Sequence, residues 1–241
     1  MGLPLGYLGA TRHPFPCLVF VLPLLVAYEA GVLALGGPNP ERIRNGGDHW
    51  MRCAFTGVGL RLPWLPPVLL VSCLVGWAIS RREDRPGDLG GVLCGMVLES
   101  IAFALGLWAV SRIIAPLLVQ AGFELSVGAS AVEPVLRQVV TYLGAGIYEE
   151  ALFRLVLFSV LVGAMRWIEL PVFFAVLLAA VGSAILFSTA HHVGPYGQAY
   201  SNYLFLFRLA AGLYFALLFQ FRGFGIAVGA HACYNVMVTI S

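Results

Sequence analysis

The chain has 241 residues, 60% of them hydrophobic and only 11% charged, far below the roughly 25% charged residues of an ordinary soluble domain. That excludes a disordered chain, which needs low hydrophobicity and high charge, and it excludes an ordinary soluble enzyme, whose surface 14 basic and 12 acidic side chains could not keep wet. The net charge of +2, with every basic residue an arginine, leaves no basic stripe for nucleic acid. What remains is an all-α polytopic bundle of transmembrane helices, since one span needs about 20 mostly apolar residues.

Seven spans are predicted in chain order. They run from Phe15 to Leu35, Leu62 to Ser80, Leu89 to Val119, Glu133 to Met165, Pro171 to His192, Tyr203 to Phe221 and Gly223 to Ile240. The third and fourth are long and hold glycines at which each could break, which would make eight segments. The first lacks a basic leader and is longer than the apolar stretch of about 7–15 residues in a signal peptide, so it reads as a permanent helix. No internal repeat is visible, which argues against a transporter of inverted halves. Arg81, Arg82 and Arg85 follow the second span, Arg166 the fourth and Arg222 the sixth. This bias favours a cytoplasmic N-terminus, and only the aromatic, Gly-rich loop from Gly36 to Arg61, with Arg42, Arg44, Arg52 and Arg61, disagrees. The expected location is the plasma (inner) membrane, crossed several times. The five cysteines are odd in number and form no C-x-x-C pair, so neither a disulfide framework nor a Cys-based zinc site is implied.

Ionisable residues inside apolar helices cost at least about 2.5–3.5 kcal/mol each on insertion scales and so call for a reason. The fourth span contains Tyr148-Glu149-Glu150-Ala151-Leu152-Phe153-Arg154. Glu150 and Arg154 are four apart and share a face, so they can pair. Glu149 points about 100° away on an α-helix and lacks that partner. A buried carboxylate without a fixed cation suits a general base. The fifth span ends Phe187-Ser188-Thr189-Ala190-His191-His192, with Phe187 one turn beneath His191. His192 reads as an interfacial residue. The seventh contains His231 and Asn235, again four apart. One such pair is ordinary helix glue, whereas three polar sets on three apolar helices point to a site.

Other chemistries are missing their signatures. There is no His-Glu-x-x-His, no Gly-x-Ser-x-Gly elbow, and no nucleotide-binding glycine loop. Asp48, Asp84 and Asp88 are all placed in loops, which excludes an intramembrane aspartyl dyad.

Glu149-Glu150-x-x-x-Arg154, Phe187-x-x-x-His191 and His231-x-x-x-Asn235, in this order, resemble the three motifs of the CPBP intramembrane proteases. That family includes the type II CAAX prenyl endopeptidases and the bacteriocin-processing or immunity proteins. The resemblance covers about residues 133–241. It divides the chain into N-terminal transmembrane helices without a recognisable motif, 1–130, and a protease-like core, 131–241. It implies that Glu149 is the catalytic glutamate, that His191 works with it on a water, that Glu150 and Arg154 support them, and that His231 and Asn235 stabilise the oxyanion. It implies a membrane-associated peptide or protein substrate, prenylated in the CAAX branch, and neither nucleic acid nor nucleotide. It also suggests a glutamate mechanism with no metal cofactor. In a zinc-dependent version, His191, His231 and Glu149 would be the ligands. The flexible loop Val193–Asn202, with Gly194, Pro195 and Gly197, is a candidate gate. Two other classes fit the residues: a membrane scaffold or immunity protein that keeps the motifs without cleaving anything, and an ion or proton transporter with Glu99, Glu149, Glu150 and Arg208 as a relay.

Overall fold

A helix stands at each of the seven predicted positions in the computed structural model, which describes residues 6–84, 86–122, 134–194 and 197–240. No strand occurs among the described residues. A short helix α1 (Tyr7–Ala10) leads into α2 (Pro14–Gly36). The start of α2 is set by Pro14, whose missing N–H is harmless at that position, and by the His13 ring, which accepts from Phe15 N–H at 3.2 Å. Next come α3 (Gly46–Gly57), α4 (Leu65–Ser80) and α5 (Leu89–Gln120). Asp88 caps α5 by accepting from Gly91 N–H at 2.8 Å. After the segment 123–133 come α6 (Val135–Gly144) and α7 (Ser159–Trp167), joined without a break by two π-helical stretches, Ala145–Glu149 and Ala151–Phe158. The chain closes with α8 (Val172–Ala190), α9 (Asn202–Arg222) and α10 (Phe224–Ile240).

Several expectations are corrected. The third span does not break: α5 is one helix of 32 residues even with Pro116 inside it. The fourth does not break either, but it widens into π turns directly after Gly144. Its predicted first residue, Glu133, lies outside the described residues, as do Arg85 and Pro195 of the loops. The loop from Gly36 to Arg61 is not loop throughout, because α3 occupies its middle, and Asp48 sits in the first turn of α3, fully buried. By length and apolarity, four helices can cross a membrane, namely α2, α5, α8 and α9, while α4 and α10 are shorter apolar helices.

The fold is organised around α10. From Phe224 to Ala232 it is buried on every side, and it packs along α5, α2, α9 and α6. A helix buried all round needs small residues where its neighbours come closest. Gly225, Ala227, Gly229, Ala230 and Ala232 provide them, and a side chain at Gly229 would run into Ser100 of α5. On one side α2 lies against α4 and α6; on the other α8 pairs with α9 and with the π stretch. The lower half of α10, α9, the end of α8 and the π stretch therefore meet at one place, and α3 covers it.

Candidate active site

The two glutamates lie where the helix is π-wound, with backbone bonds from i to i+5 and a widened turn on either side of Glu150. They reach the two nitrogens of one imidazole. Glu150 Oε1 accepts from His231 Nδ1 at 2.7 Å, and Glu149 Oε2 lies 3.8 Å from His231 Nε2.

Glu150 belongs to the buried side of the site. It is fully enclosed and lies 3.2 Å from Arg154 Nη1, the predicted pair. Arg154 is also fully enclosed. It donates to the Gly212 carbonyl of α9 at 3.2 Å and stands 4.4 Å over the Phe187 ring, a cation–π contact suited to a desolvated guanidinium. Together these fix α8, α9 and α10 around the π stretch.

Glu149 is the carboxylate on the cavity side. His191 caps the end of α8, and its Nδ1 donates to the Phe187 carbonyl at 2.8 Å, with the Phe187 ring 4.7 Å away as the spacing predicts. That bond orients the ring so that Nε2 faces Glu149 Oε2 at 3.7 Å. The His231 ring is held likewise, by Glu150 on Nδ1 and by stacking on Phe215 at 4.5 Å. Two fixed imidazoles thus aim Nε2 at one carboxylate oxygen from just beyond direct hydrogen-bond range, a spacing that one bridging water spans.

A cavity of about 380 Å³ opens here, lined by Glu149, His191, His231 and Asn235 together with Phe207 and Arg208 of α9. A smaller crevice of about 100 Å³, under Gly46, Gly47 and Trp50 of α3, also reaches Glu149 and His191. A larger cavity, about 570 Å³ between α2, α5 and α10, is apolar and contains none of the motif residues.

Asn45 is a site residue that the sequence reading missed. Its Oδ1 accepts from Asp48 N–H at 3.1 Å, capping α3, while its Nδ2 donates to Glu149 Oε1 at 3.4 Å. The cap signal, Asn-Gly-Gly-Asp, was legible; its proximity to Glu149, 104 residues on, was not. Gly47 permits that proximity, since a Cβ there would come within 2.9 Å of Glu149 Cγ and 3.0 Å of its backbone nitrogen. Behind Asn45 lies a buried polar network. Arg44 Nη1 donates to Asp48 at 2.6 Å and to Glu29 at 3.3 Å. Tyr28 donates to Asp48 at 2.8 Å, Arg52 Nε to Asp48 at 2.7 Å, and Tyr148 to Glu29 at 2.7 Å. Burial alone would lower the Arg44 pKa, but Asp48 and Glu29 outweigh it and hold the guanidinium above its usual range. Two of the arginines in the discordant loop therefore have a structural task.

The relay residues are not all brought together. Glu99 on α5 is held by Nε and Nη2 of Arg222, each at 2.7 Å, and is absent from the cavity lining. His192 turns away toward the Gln198 carbonyl at 3.3 Å. The donor types at Glu149, His191 and His231 are those zinc takes, yet among the described residues no three His, Cys, Asp or Glu side chains are arranged to hold a metal ion.

Residues 131–237 match the family model of the type II CAAX prenyl endopeptidases, described as Rce1-like. That segment holds Glu149, Glu150, Arg154, His191, His231 and Asn235, so all six motif residues lie in the part of the chain that is similar to that family. No curated protein and no solved structure matches the chain.

Proposed function

We propose that the protein is an intramembrane endopeptidase that hydrolyses a peptide bond of a membrane-associated peptide or protein, with a water activated by Glu149 and His191. The observation that carries this reading is the convergence of His191 Nε2 and His231 Nε2 on Glu149 Oε2, at 3.7 and 3.8 Å, on the wall of a cavity that Asn235 also lines.

The chemistry follows from which atoms are already occupied. His191 Nδ1 is engaged by a carbonyl, so Nε2 is its free acceptor and holds the water through a hydrogen bond from one of its two protons. Glu149 takes the other as the oxygen attacks the scissile carbonyl, and it later returns that proton to the leaving amine. Asn45 donates to the far oxygen of Glu149 and so keeps Oε2 turned toward the imidazoles. Asn235 supplies an amide N–H to the developing oxyanion. His231 joins it from one turn away when protonated on both nitrogens. Each such donor is worth about 2.7–4 kcal/mol in a soluble protease. Glu150 and Arg154 stay buried and hold His231 in place. The crevice beneath α3 also borders Glu149 and His191. No step needs a metal ion.

The test is cleavage of a prenylated CAAX peptide by the purified full-length protein beside Glu149→Gln, with and without prior dialysis against a strong chelator. The expected result is cleavage by the native protein only, unchanged by chelation, with far less than one zinc per chain. Zinc in stoichiometric amount, lost together with activity and restored by zinc alone, would make His191, His231 and Glu149 ligands instead.

A further inference from the structure

At the end of the bundle where α2 begins, a pocket of about 310 Å³ is lined by Gly9, Arg12, His13, Pro14, Trp77 and Arg81. No acidic side chain among the described residues lines it, although Glu83 and Asp84 follow Arg81 closely in sequence. Its shape is set by the buried His13. The ring accepts from Phe15 N–H on Nδ1, so Nε2 carries the hydrogen and donates to the Arg81 carbonyl at 2.9 Å. That bond joins the start of α2 to the end of α4. Behind Arg12 the chain enters α10 through Gly223, where a Cβ would stand 3.0 Å from Arg12 Cα. Arg12 itself is exposed and has no ion pair or side-chain hydrogen bond among the described residues. Trp77 lies one turn before Arg81 on the same face of α4, and Cys73 one turn before that; both are exposed.

We propose that this pocket binds the phosphate of an anionic phospholipid, which ties α2 to α4 at the membrane surface. Depth decides the chemistry. α2 is long and apolar enough to cross a membrane, so Arg12, two residues ahead of its first residue, stands where lipid headgroups meet the span. The His13 bond brings Arg81 to the same level. Guanidinium forks match phosphate oxygens, and an indole is at home at headgroup depth. The stripe from Trp77 to Cys73 leads away from the pocket along α4 and offers an acyl chain a surface to lie on. A zwitterionic lipid would bring an ammonium as well as a phosphate, and no carboxylate lines the pocket to receive it. Free phosphate offers the arginines the same oxygens without the chains, and the experiment separates the two sources. The pocket shares no lining residue with the candidate active-site cavity, and the inference does not depend on the endopeptidase reading.

Phosphatidylglycerol and phosphatidylcholine with the same acyl chains are titrated onto the full-length protein in detergent, and bound lipid is read by mass spectrometry of the intact complex. The expected result is a Kd for phosphatidylglycerol lower by about tenfold or more. In the double variant Arg12→Gln with Arg81→Gln the ratio falls to near one, and Arg12→Lys with Arg81→Lys retains part of it. Arg42→Gln with Arg61→Gln removes the same charge from two exposed arginines outside the pocket and should leave the ratio unchanged. Equal affinity of the native protein for the two lipids overturns the proposal, as does a ratio that survives in Arg12→Gln with Arg81→Gln. An equal fall in both glutamine pairs would show diffuse attraction by surface charge and also overturns it. Inorganic phosphate in excess should leave phosphatidylglycerol bound; displacement at equal concentration would make the pocket a site for free anions and overturns the lipid assignment. Should the first glutamine pair fail to fold, the single change Arg12→Gln at an exposed side chain decides. The ratio should then fall by about threefold or more, and an unchanged ratio overturns the proposal.

Discussion

Glu149 and Glu150 are chemically identical neighbours with opposite surroundings. Glu150 is sealed between Arg154 and His231, with none of its surface exposed. Glu149 faces the cavity, with the long Asn45 contact and the approach of two imidazoles around it. Glu149→Gln is therefore expected to abolish peptide cleavage while the unfolding temperature stays near that of the native protein. Glu150→Gln leaves the buried Arg154 charge uncompensated, and breaking such a pair costs roughly 3–5 kcal/mol, so it should lower stability and activity together. Equal effects of the two changes on melting and turnover would show that the assignment is wrong. In the proposed mechanism Asn235 works at the other end of the reaction. As an oxyanion donor it acts when the tetrahedral intermediate forms, so Asn235→Ala should lower kcat by about 10²–10³ and leave KM nearly unchanged. A melting temperature that falls while kcat per folded molecule stays normal would instead make it helix glue.

Among the elements, α3 is the one whose role had no sequence motif. Its N-terminus is pressed against the π stretch through Gly47, and Asn45 serves both helix and site. These two duties can be separated. Asn45→Ala removes the cap, at about 0.5–2 kcal/mol, and also the donor to Glu149. Asn45→Asp keeps a capping oxygen but sets a carboxylate where an N–H had pointed at Glu149. Thermal unfolding should recover from the alanine to the aspartate variant, whereas activity should stay low in both. Activity that tracks melting temperature across the two variants would reduce Asn45 to a cap. The i,i+4 pairing of Glu150 with Arg154 that helical spacing predicts is present at 3.2 Å. What that spacing does not show is that Glu149 and Glu150 approach opposite nitrogens of the same His231 ring.

At the scale of the whole molecule, the motif-free first half and the protease-like half share one polar core. Glu29 of α2 accepts from Tyr148, the residue just before Glu149, and the same Glu29 is paired with Arg44 beside Asn45. The N-terminal helices are therefore part of the framework of the candidate site rather than a separate anchor. Tyr148→Phe removes one buried bond between the halves. With a net value near 1 kcal/mol for such a bond, the melting temperature should fall by roughly 2–4 °C in a chain of this size. Turnover should fall with it as Glu149 loses a neighbouring restraint. An unchanged melting temperature would mean that α2 and the π stretch are held by packing alone.

Composition and periodicity sufficed for the helical membrane class, for the helix positions, and for the Glu, His and Asn residues that the cavity brings together, because these depend on local apolar runs and on spacings within one helix. Ordered motifs on successive apolar helices also sufficed to suggest the family. What only the tertiary structure decided depends on contacts between residues far apart in the chain. Asn45 reaches Glu149 because α3 folds back over the π stretch, Arg208 faces the cavity because of how α9 is turned against α8, and Glu99 leaves the proposed relay because Arg222 lies across from it. A polar side chain inside an apolar helix declares that it needs a partner, but the partner is chosen by how the helices pack, and that choice is not written in the spacing of either helix.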